Sequence, residues 1–111
     1  MEIVDGGKEK NTLKVLVKGR MDAVSASEFT EKMSDWIDQG ETNFVIDLAG
    51  LDYISSSGLR SFIIAAKKLE ATNGQMVLAG LKDVVKKVFD ISGFSSIFQI
   101  YESVEAALEQ V

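Results

Sequence analysis

The sequence predicts one α/β domain covering residues 1–111. Its expected core is a mostly parallel β-sheet with an antiparallel N-terminal strand, packed by about four α-helices. The chain length of 111 residues is close to the common size of a single domain, and the hydrophobic content of 46% is sufficient to fill one core. From Thr12 onward, strand-like and helix-like patterns alternate. This alternation is typical of parallel strands joined by right-handed crossover helices.

The first two predicted strands form a hairpin. Residues 2–5 and 12–18 flank the turn-rich hexapeptide GGKEKN. In the second segment the apolar residues Leu13, Val15 and Val17 occupy every other position, and a period of two predicts a half-buried strand. We therefore expect the first strand to pair antiparallel with the second.

The first helix is predicted to begin at Ser25. Ser25 and Glu28 have the spacing of a capping box, and Val24 and Phe29 have the spacing of a hydrophobic staple. Gly40 is expected to end the helix, because glycine readily adopts the left-handed conformation that follows a helix C-terminus. The apolar face of this helix is formed by Phe29, Met33, Trp36 and Ile37.

The middle of the chain predicts a buried strand followed by a second helix. Residues 43–48 are almost continuously apolar, a pattern typical of a central strand covered on both faces. The stretch DYISSSGLR, residues 52–60, comes next and leads into a helix that ends at Asn73-Gly74. Residues 76–79 form the following strand. The apolar stripe of the second helix consists of Leu59, Phe62, Ile63, Ala66 and Leu69.

Two more helices and a short strand complete the predicted domain. A third helix is expected over residues 83–91 with Gly93 as its stop, and a last strand over residues 97–100. Ser103 is expected to cap the final helix. The residues expected to face inward from the third helix are Leu81, Val84, Val85 and Val88, and those from the final helix are Val104, Ala107, Leu108 and Val111.

The composition argues against several classes of function. The net charge is −5, from 12 basic and 17 acidic residues, and such a chain is poorly suited to nucleic acid, whose binding depends on neutralising phosphates. The sequence contains no cysteine and no histidine, which removes the thiol nucleophile, the commonest metal ligand and the usual general base. Neither glycine-rich nucleotide-binding motif occurs. We predict no metal and no cofactor.

The same survey gives an expectation about location. No apolar run reaches the roughly 18 residues of a membrane span, and the N-terminus MEIVDGG lacks the pattern of a signal peptide. We expect a cytoplasmic protein that does not associate with membranes.

The serine triplet (residues 55–57) is the feature most in need of an explanation. Serine is a preferred N-cap, so one hydroxyl is expected to accept a hydrogen bond from the helix that follows. A catalytic nucleophile is a second interpretation, but acyl transfer needs a base. With no histidine only a serine–lysine pair would serve, and no lysine lies in or beside the motif. A covalent phosphate is the third interpretation, because the first turn of a helix stabilises added negative charge.

Three segments resemble the STAS-domain anti-sigma factor antagonists. These are GRMDA at residues 19–23, FVIDLAGLDYISSSGLR at residues 44–60 and VKKVFDISGFSSIFQIY at residues 85–101. The resemblance implies a partner switch in which the unphosphorylated domain binds an anti-sigma factor, often a GHKL-type serine kinase, and thereby releases the sigma factor. The kinase phosphorylates the serine two residues before the motif glycine, here Ser56, and a PP2C-type phosphatase reverses the modification. Many members have aspartate where this chain has Ser55.

The resemblance also implies a surface that contacts the partner. Its expected members are Asp22, Ser55, Ser57, Gly58, Leu59 and Arg60. Three of them have a second interpretation from the residues alone: Asp22 as a turn or pre-helix carboxylate, Leu59 as a core residue and Arg60 as a solvated charge. Asp47 interrupts a buried strand and should have a hydrogen-bond partner, which would tie down the serine triplet. Phe94, after Gly93, is either an exposed apolar contact or a capping hydrophobic residue.

Two alternative functions remain at this point. One keeps the fold and changes the partner, as in STAS-type interaction modules of stressosome-like or other signalling scaffolds. The other is a small serine–lysine hydrolase, for which the sequence offers no evident pair.

Overall fold

The computed structural model describes residues 1–110, which form six strands, four α-helices and one short 3-10 helix. In chain order they are β1 (Glu2–Glu9), β2 (Thr12–Met21), α1 (Ala23–Asp38), β3 (Asn43–Asp47), β4 (Leu51–Ile54), α2 (Ser56–Glu70), β5 (Gln75–Ala79), α3 (Asp83–Ser92), the 3-10 helix (Phe94–Ser96), β6 (Ile100–Tyr101) and α4 (Val104–Glu109). The predicted fold class is confirmed: β1 and β2 pair antiparallel, and every other strand pairing is parallel. Val111, predicted to lie on the last helix, is outside the described residues.

The sheet has the strand order β1-β2-β3-β5-β6, and β4 pairs with β2 alone. This arrangement follows from the length of β2, which has 10 residues against 5 in β3. Leu13 to Leu16 pair with β3, and Gly19 to Met21 extend further and pair with β4. β4 was not among the strands predicted from the sequence. Its four residues place Leu51 and Ile54 inside and Asp52 outside, so no period of two is visible.

The N-terminal hairpin is longer than predicted. β1 continues to Glu9, and the turn consists of Lys10 and Asn11 alone, with φ angles of 53° and 60°. Positive φ at both positions is what a two-residue type I′ hairpin turn requires. The glycine pair predicted to lie in the turn instead lies within β1, where the register shifts between Asp5 and Lys8 as a bulge.

The predicted start of α1 at Ser25 was wrong. The helix begins at Ala23, and its N-cap is Asp22, whose carboxylate accepts a hydrogen bond from the Ser25 backbone N–H. Val24 is 75% exposed and therefore forms no hydrophobic staple. Because β2 continues to Met21, the helix starts directly after the strand, and aspartate caps a helix as well as serine does.

The core lies on both faces of the sheet. On one face, α1, α2 and α3 cover the strands, and Phe62 of α2 packs edge-on against Phe29 of α1 with ring centroids 5.0 Å apart. On the other face, α4 covers Val45 and Val77 with Ala107. The prediction that β3 is buried on both faces is confirmed. None of the described helices is long and apolar enough to cross a membrane.

The C-terminal half contains two further corrections. Gly93 ends α3 with a φ of 82°, as predicted, but the inward face of this helix is Val85 and Phe89, whereas Val84 is 58% exposed. The predicted strand over residues 97–100 is replaced by the shorter β6. The chain before β6 forms the 3-10 helix and then buries the side chain of Phe98, so it does not extend as a strand. Ser103 caps α4 as predicted, accepting from the Ala106 N–H at 3.1 Å.

Candidate functional site

Two helices begin side by side at the carboxyl edge of the sheet. β2 and β4 run parallel with Met21 opposite Ile54, so α1 and α2 start at the same level. The Ser55 N–H donates to the Met21 carbonyl at 2.9 Å, which joins the two strand ends. The caps of the helices, Asp22 and Ser55, are therefore neighbours at one edge of the domain.

The three serines of the triplet have different environments. Ser55 is the N-cap of α2, and its hydroxyl accepts from the Gly58 N–H at 3.1 Å. Ser56, the first residue of the helix, is exposed, and its hydroxyl makes no hydrogen bond to any described residue. Ser57 is half-buried and lines a groove between α1 and α2. One hydroxyl thus serves as the cap, and Ser56 is left without a structural role.

Asp22 is an exposed carboxylate held in a fixed position. The hydrogen bond from the Ser25 backbone N–H is the main cause that lowers the pKa of Asp22, and a bond from the Ser25 hydroxyl acts in the same direction. The side chain is therefore a permanent negative charge at the start of α1. Of its two interpretations, the capping role is observed; contact with a partner remains a prediction.

Gly58 and Leu59 face the interior. A Cβ on Gly58 would lie 2.7 Å from Ile54 Cγ1 and 3.0 Å from Met21 Cγ, so only glycine allows α2 to approach the ends of β2 and β4 this closely. Leu59 is 7% exposed and belongs to the core. These two predicted contact residues pack beneath the serine triplet, and little of their surface is accessible to a partner.

Arg60 is different, because its side chain is exposed. Its guanidinium forms no salt bridge to any described carboxylate; the ion pairs between residues 1 and 110 join Lys8 to Glu41, Lys14 to Glu9 and Lys68 to Asp38. A free cation one turn from the serine triplet is available for contact with another molecule.

Asp47 and Phe94 are placed by local packing. The Asp47 carboxylate accepts from the Ala49 N–H at 3.0 Å, which confirms that it has a hydrogen-bond partner. It ties down the turn between β3 and β4 rather than the serine triplet. Phe94 is half-buried, with its ring 6.3 Å from both Phe89 and Phe98.

Three residues that surround this edge were not predicted as site residues from the sequence. Val24 and Ile64 are exposed although they are aliphatic, and Arg20 stacks 4.2 Å from the ring centroid of Tyr53, its partner across β2 and β4. The sequence holds one signal for Ile64, which follows Arg60 by four residues and so lies on the same helix face. Residues 1–110 contain no cluster of acidic side chains able to hold a metal ion.

Comparison with known proteins gives consistent results. A family model described as STAS domain matches residues 7–107. BtrV of Bordetella bronchiseptica, named as an anti-sigma factor antagonist, is 40% identical over 107 residues, which cover 96% of this chain and 88% of BtrV. The anti-sigma-B factor antagonist of Listeria monocytogenes is 33% identical over 95 residues, covering 84% of this chain and 83% of that protein.

Solved structures resemble the fold at lower identity. An anti-sigma factor antagonist from Mycobacterium paratuberculosis superposes with a TM-score of 0.87 at 20% identity, covering 99% of this chain and 92% of that one. The Bacillus protein SpoIIAA in its phosphorylated form gives a TM-score of 0.76 at 23% identity, with 98% of each chain covered. At these identities the structures establish the fold alone.

Proposed function

The chain belongs to the STAS domain family, and we propose that it is an anti-sigma factor antagonist controlled by phosphorylation of Ser56. In its unphosphorylated form it binds an anti-sigma factor that is also a GHKL-type serine kinase, and this binding releases the sigma factor. The kinase modifies Ser56 and ends the association, and a PP2C-type phosphatase restores the active form. The protein acts in the cytoplasm as a binding module and a kinase substrate, without catalytic activity of its own.

The observation that supports this proposal is that the serines of the triplet differ in exposure and in hydrogen bonding. Ser55 already caps α2, and Gly58 and Leu59 are packed inside. Ser56 alone is exposed and free of hydrogen bonds to the described residues. A kinase can therefore reach its hydroxyl without unfolding the helix, and the domain loses no internal contact when the hydroxyl is modified.

The effect of a phosphate on the domain itself is small. Phosphorylation adds a charge of about −1.5 to −2 at neutral pH. At the first residue of α2 that charge meets the positive end of the helix dipole, an interaction that typically stabilises by ~0.3–1 kcal/mol. The fold is therefore expected to persist in both forms, and the switch acts on the binding surface.

The effect on the partner complex is large. If the phosphorylated protein bound its partner, one charge in the interface would be left without a counterion, at a cost like that of a broken buried ion pair, ~3–5 kcal/mol, or an affinity loss of about 10²–10³-fold or more. The neighbouring carboxylate of Asp22 adds like charge at the same edge. Bulk and charge together are sufficient to separate the complex.

The experiment is intact-mass and site-mapping spectrometry of the protein from its own cells, beside Ser56→Ala and Ser57→Ala. We expect one phosphate that disappears in Ser56→Ala and persists in Ser57→Ala. Isothermal titration of the cognate anti-sigma factor should then show tight binding to the unphosphorylated protein and loss of binding after phosphorylation. A phosphate that survives Ser56→Ala, or a phosphorylated form that binds undiminished, contradicts the proposal.

A further inference from the structure

A groove of 480 Å³ runs between α1 and α2, starting at the serine triplet. Ser57 lies at its near end, and Ile64, two helical turns further along α2, lies at its far end. On the α1 side it is bounded by small residues and by Glu31. Because Ser57 directly follows Ser56, a partner that covers Ser56 also reaches the mouth of this groove.

The floor of the groove is suited to packing against a protein rather than to binding a polar small molecule. Three of the four hydroxyls that line it donate to carbonyls of their own helices: Ser27 to Ala23 at 3.4 Å, Thr30 to Ala26 at 3.0 Å and Ser61 to Gly58 at 2.6 Å. With their hydrogens committed, these side chains present small, satisfied surfaces. A side chain of a partner can approach them closely at little desolvation cost.

The α2 wall carries two exposed side chains that a partner can contact, Arg60 and Ile64. Ile64 is 47% exposed and follows Arg60 at i+4, so the two lie one above the other on the groove side of the helix. Arg60 has no ion pair among the described residues, and its planar guanidinium favours a carboxylate. Glu31 on the opposite wall would repel a carboxylate, which directs an incoming acid to the Arg60 side.

Arg60 also stands in a defined relation to the modification site. Ser56 and Arg60 are separated by four residues within α2, and an anion placed at i with a cation at i+4 is the favourable orientation on a helix. A phosphate on Ser56 can therefore pair with Arg60 within the same helix, and arginine–phosphate pairs are strong. The guanidinium would then no longer be free for another molecule.

We propose that the groove receives one segment of the anti-sigma factor, with an aliphatic side chain against Ile64 and a carboxylate paired with Arg60, and that phosphate on Ser56 competes for Arg60. The inference rests on the proposed function and adds the route by which the phosphate acts. In the unmodified protein Arg60 binds the partner. In the phosphorylated protein it binds the phosphate, and the partner's carboxylate is left without a counterion.

The test is isothermal titration with the purified cognate anti-sigma factor. Arg60→Gln and Ile64→Lys should each weaken binding by about tenfold or more, the usual scale for an interfacial anchor. The matched controls are Lys87→Gln and Ile91→Lys on α3, which make the same kinds of change at exposed positions outside the groove. The controls should bind within about twofold of the unmodified chain.

The second readout separates a role in the switch from simple contact. If phosphate and partner compete for Arg60, the affinity loss caused by phosphorylation should be smaller in Arg60→Gln by about tenfold, as in a double-mutant cycle between coupled groups. Circular dichroism melting of every variant checks that the fold is intact. Unchanged binding by Arg60→Gln and Ile64→Lys, or an unchanged phosphorylation effect in Arg60→Gln, overturns the inference.

These outcomes also distinguish the inference from the function on which it rests. If phosphorylation still ends binding while the groove variants bind normally, the switch at Ser56 holds and the groove proposal falls. If the unmodified protein does not bind the anti-sigma factor at all, both fall together.

Discussion

The N-termini of α1 and α2 lie side by side and are built almost alike. Each helix starts directly after a parallel strand, and the two strands pair with Met21 opposite Ile54. Each cap accepts a hydrogen bond from the amide three residues later, at 3.0 Å for Asp22 and 3.1 Å for Ser55. The difference is that Asp22 carries a charge and Ser55 does not.

The first helical residue after each cap also differs between the two helices. At α1 it is Ala23, which has no reactive group, and at α2 it is Ser56, whose hydroxyl is exposed. Since both helix dipoles favour a negative charge at this end, α1 has one permanently and α2 can acquire one by modification. At neutral pH, only the α2 terminus could change its charge through a modification, which is the physical requirement of the proposed switch.

The close packing of Gly58 on the ends of β2 and β4 gives the largest expected change in stability. Gly58→Ala places a Cβ against Ile54 and Met21, both buried. Overpacking of this kind typically costs ~1–3 kcal/mol, and the better helix propensity of alanine recovers at most about 1 kcal/mol. We expect net destabilisation of about 1–2 kcal/mol, measured by urea unfolding.

Gly50→Ala is the matched control for this prediction. There the added Cβ lies 2.9 Å from Lys18 Cγ, nearly as close, but Lys18 is an exposed and flexible side chain that can move away. Its stability should change by less than about 0.5 kcal/mol. If the two substitutions changed stability equally, the N-terminus of α2 would not be tightly packed on the ends of β2 and β4.

The division of roles between Ser55 and Ser56 predicts a smaller effect. Ser55→Ala removes the N-cap hydrogen bond to Gly58 and should lower the free energy of unfolding by ~1 kcal/mol, within the usual range of ~0.5–2. Ser56→Ala removes a hydroxyl with no bond to the described residues and should change stability by less than about 0.5 kcal/mol. Thermal melts of both variants, side by side, decide the assignment. If Ser56→Ala lowered stability more than Ser55→Ala, Ser56 rather than Ser55 would be the N-cap of α2.

The starts of the helices show where prediction from the sequence reached its limit. The alternation of strands and helices, the burial of β3 and the stops at Gly40 and Gly93 all follow from local patterns. The choice between Asp22 and Ser25 as the cap of α1 does not, because aspartate and serine cap helices about equally well. It is decided by the extension of β2 to Met21, and that extension depends on pairing with β4.

The serine triplet has the same limitation. Three consecutive serines are equivalent in any local pattern, and only the end of β4 at Ile54 fixes which of them caps α2 and which faces solvent. Likewise, the helical period predicted Val84 on the inward face of α3, but Val84 is exposed and Phe89 is buried there instead. The sequence therefore predicted Ser56 as the site, whereas the groove with Ile64 required the arrangement of α1 against α2, and the role of Asp22 as a cap required the pairing of β2 with β4.

The smallest predicted effect concerns the permanent charge at α1. Because hydrogen bonds from Ser25 lower the pKa of Asp22, the ionised form is favoured in the folded protein. Its stabilising contribution is complete above the ordinary aspartate value of 3.8 and is lost as the pH falls through the lowered pKa. Asp22→Ser keeps a capping oxygen but cannot ionise, so the stability advantage of the native chain over this variant should decline on acidification.

Urea unfolding of both proteins near neutral pH and below pH 3.8 measures this decline. Asp52→Ser, which removes an exposed carboxylate that caps no helix, gives the effect of losing charge alone. If the native chain and Asp22→Ser respond to pH in parallel, the charge at α1 contributes nothing to the fold. The contrast between the two termini would then lie only in the hydroxyl of Ser56.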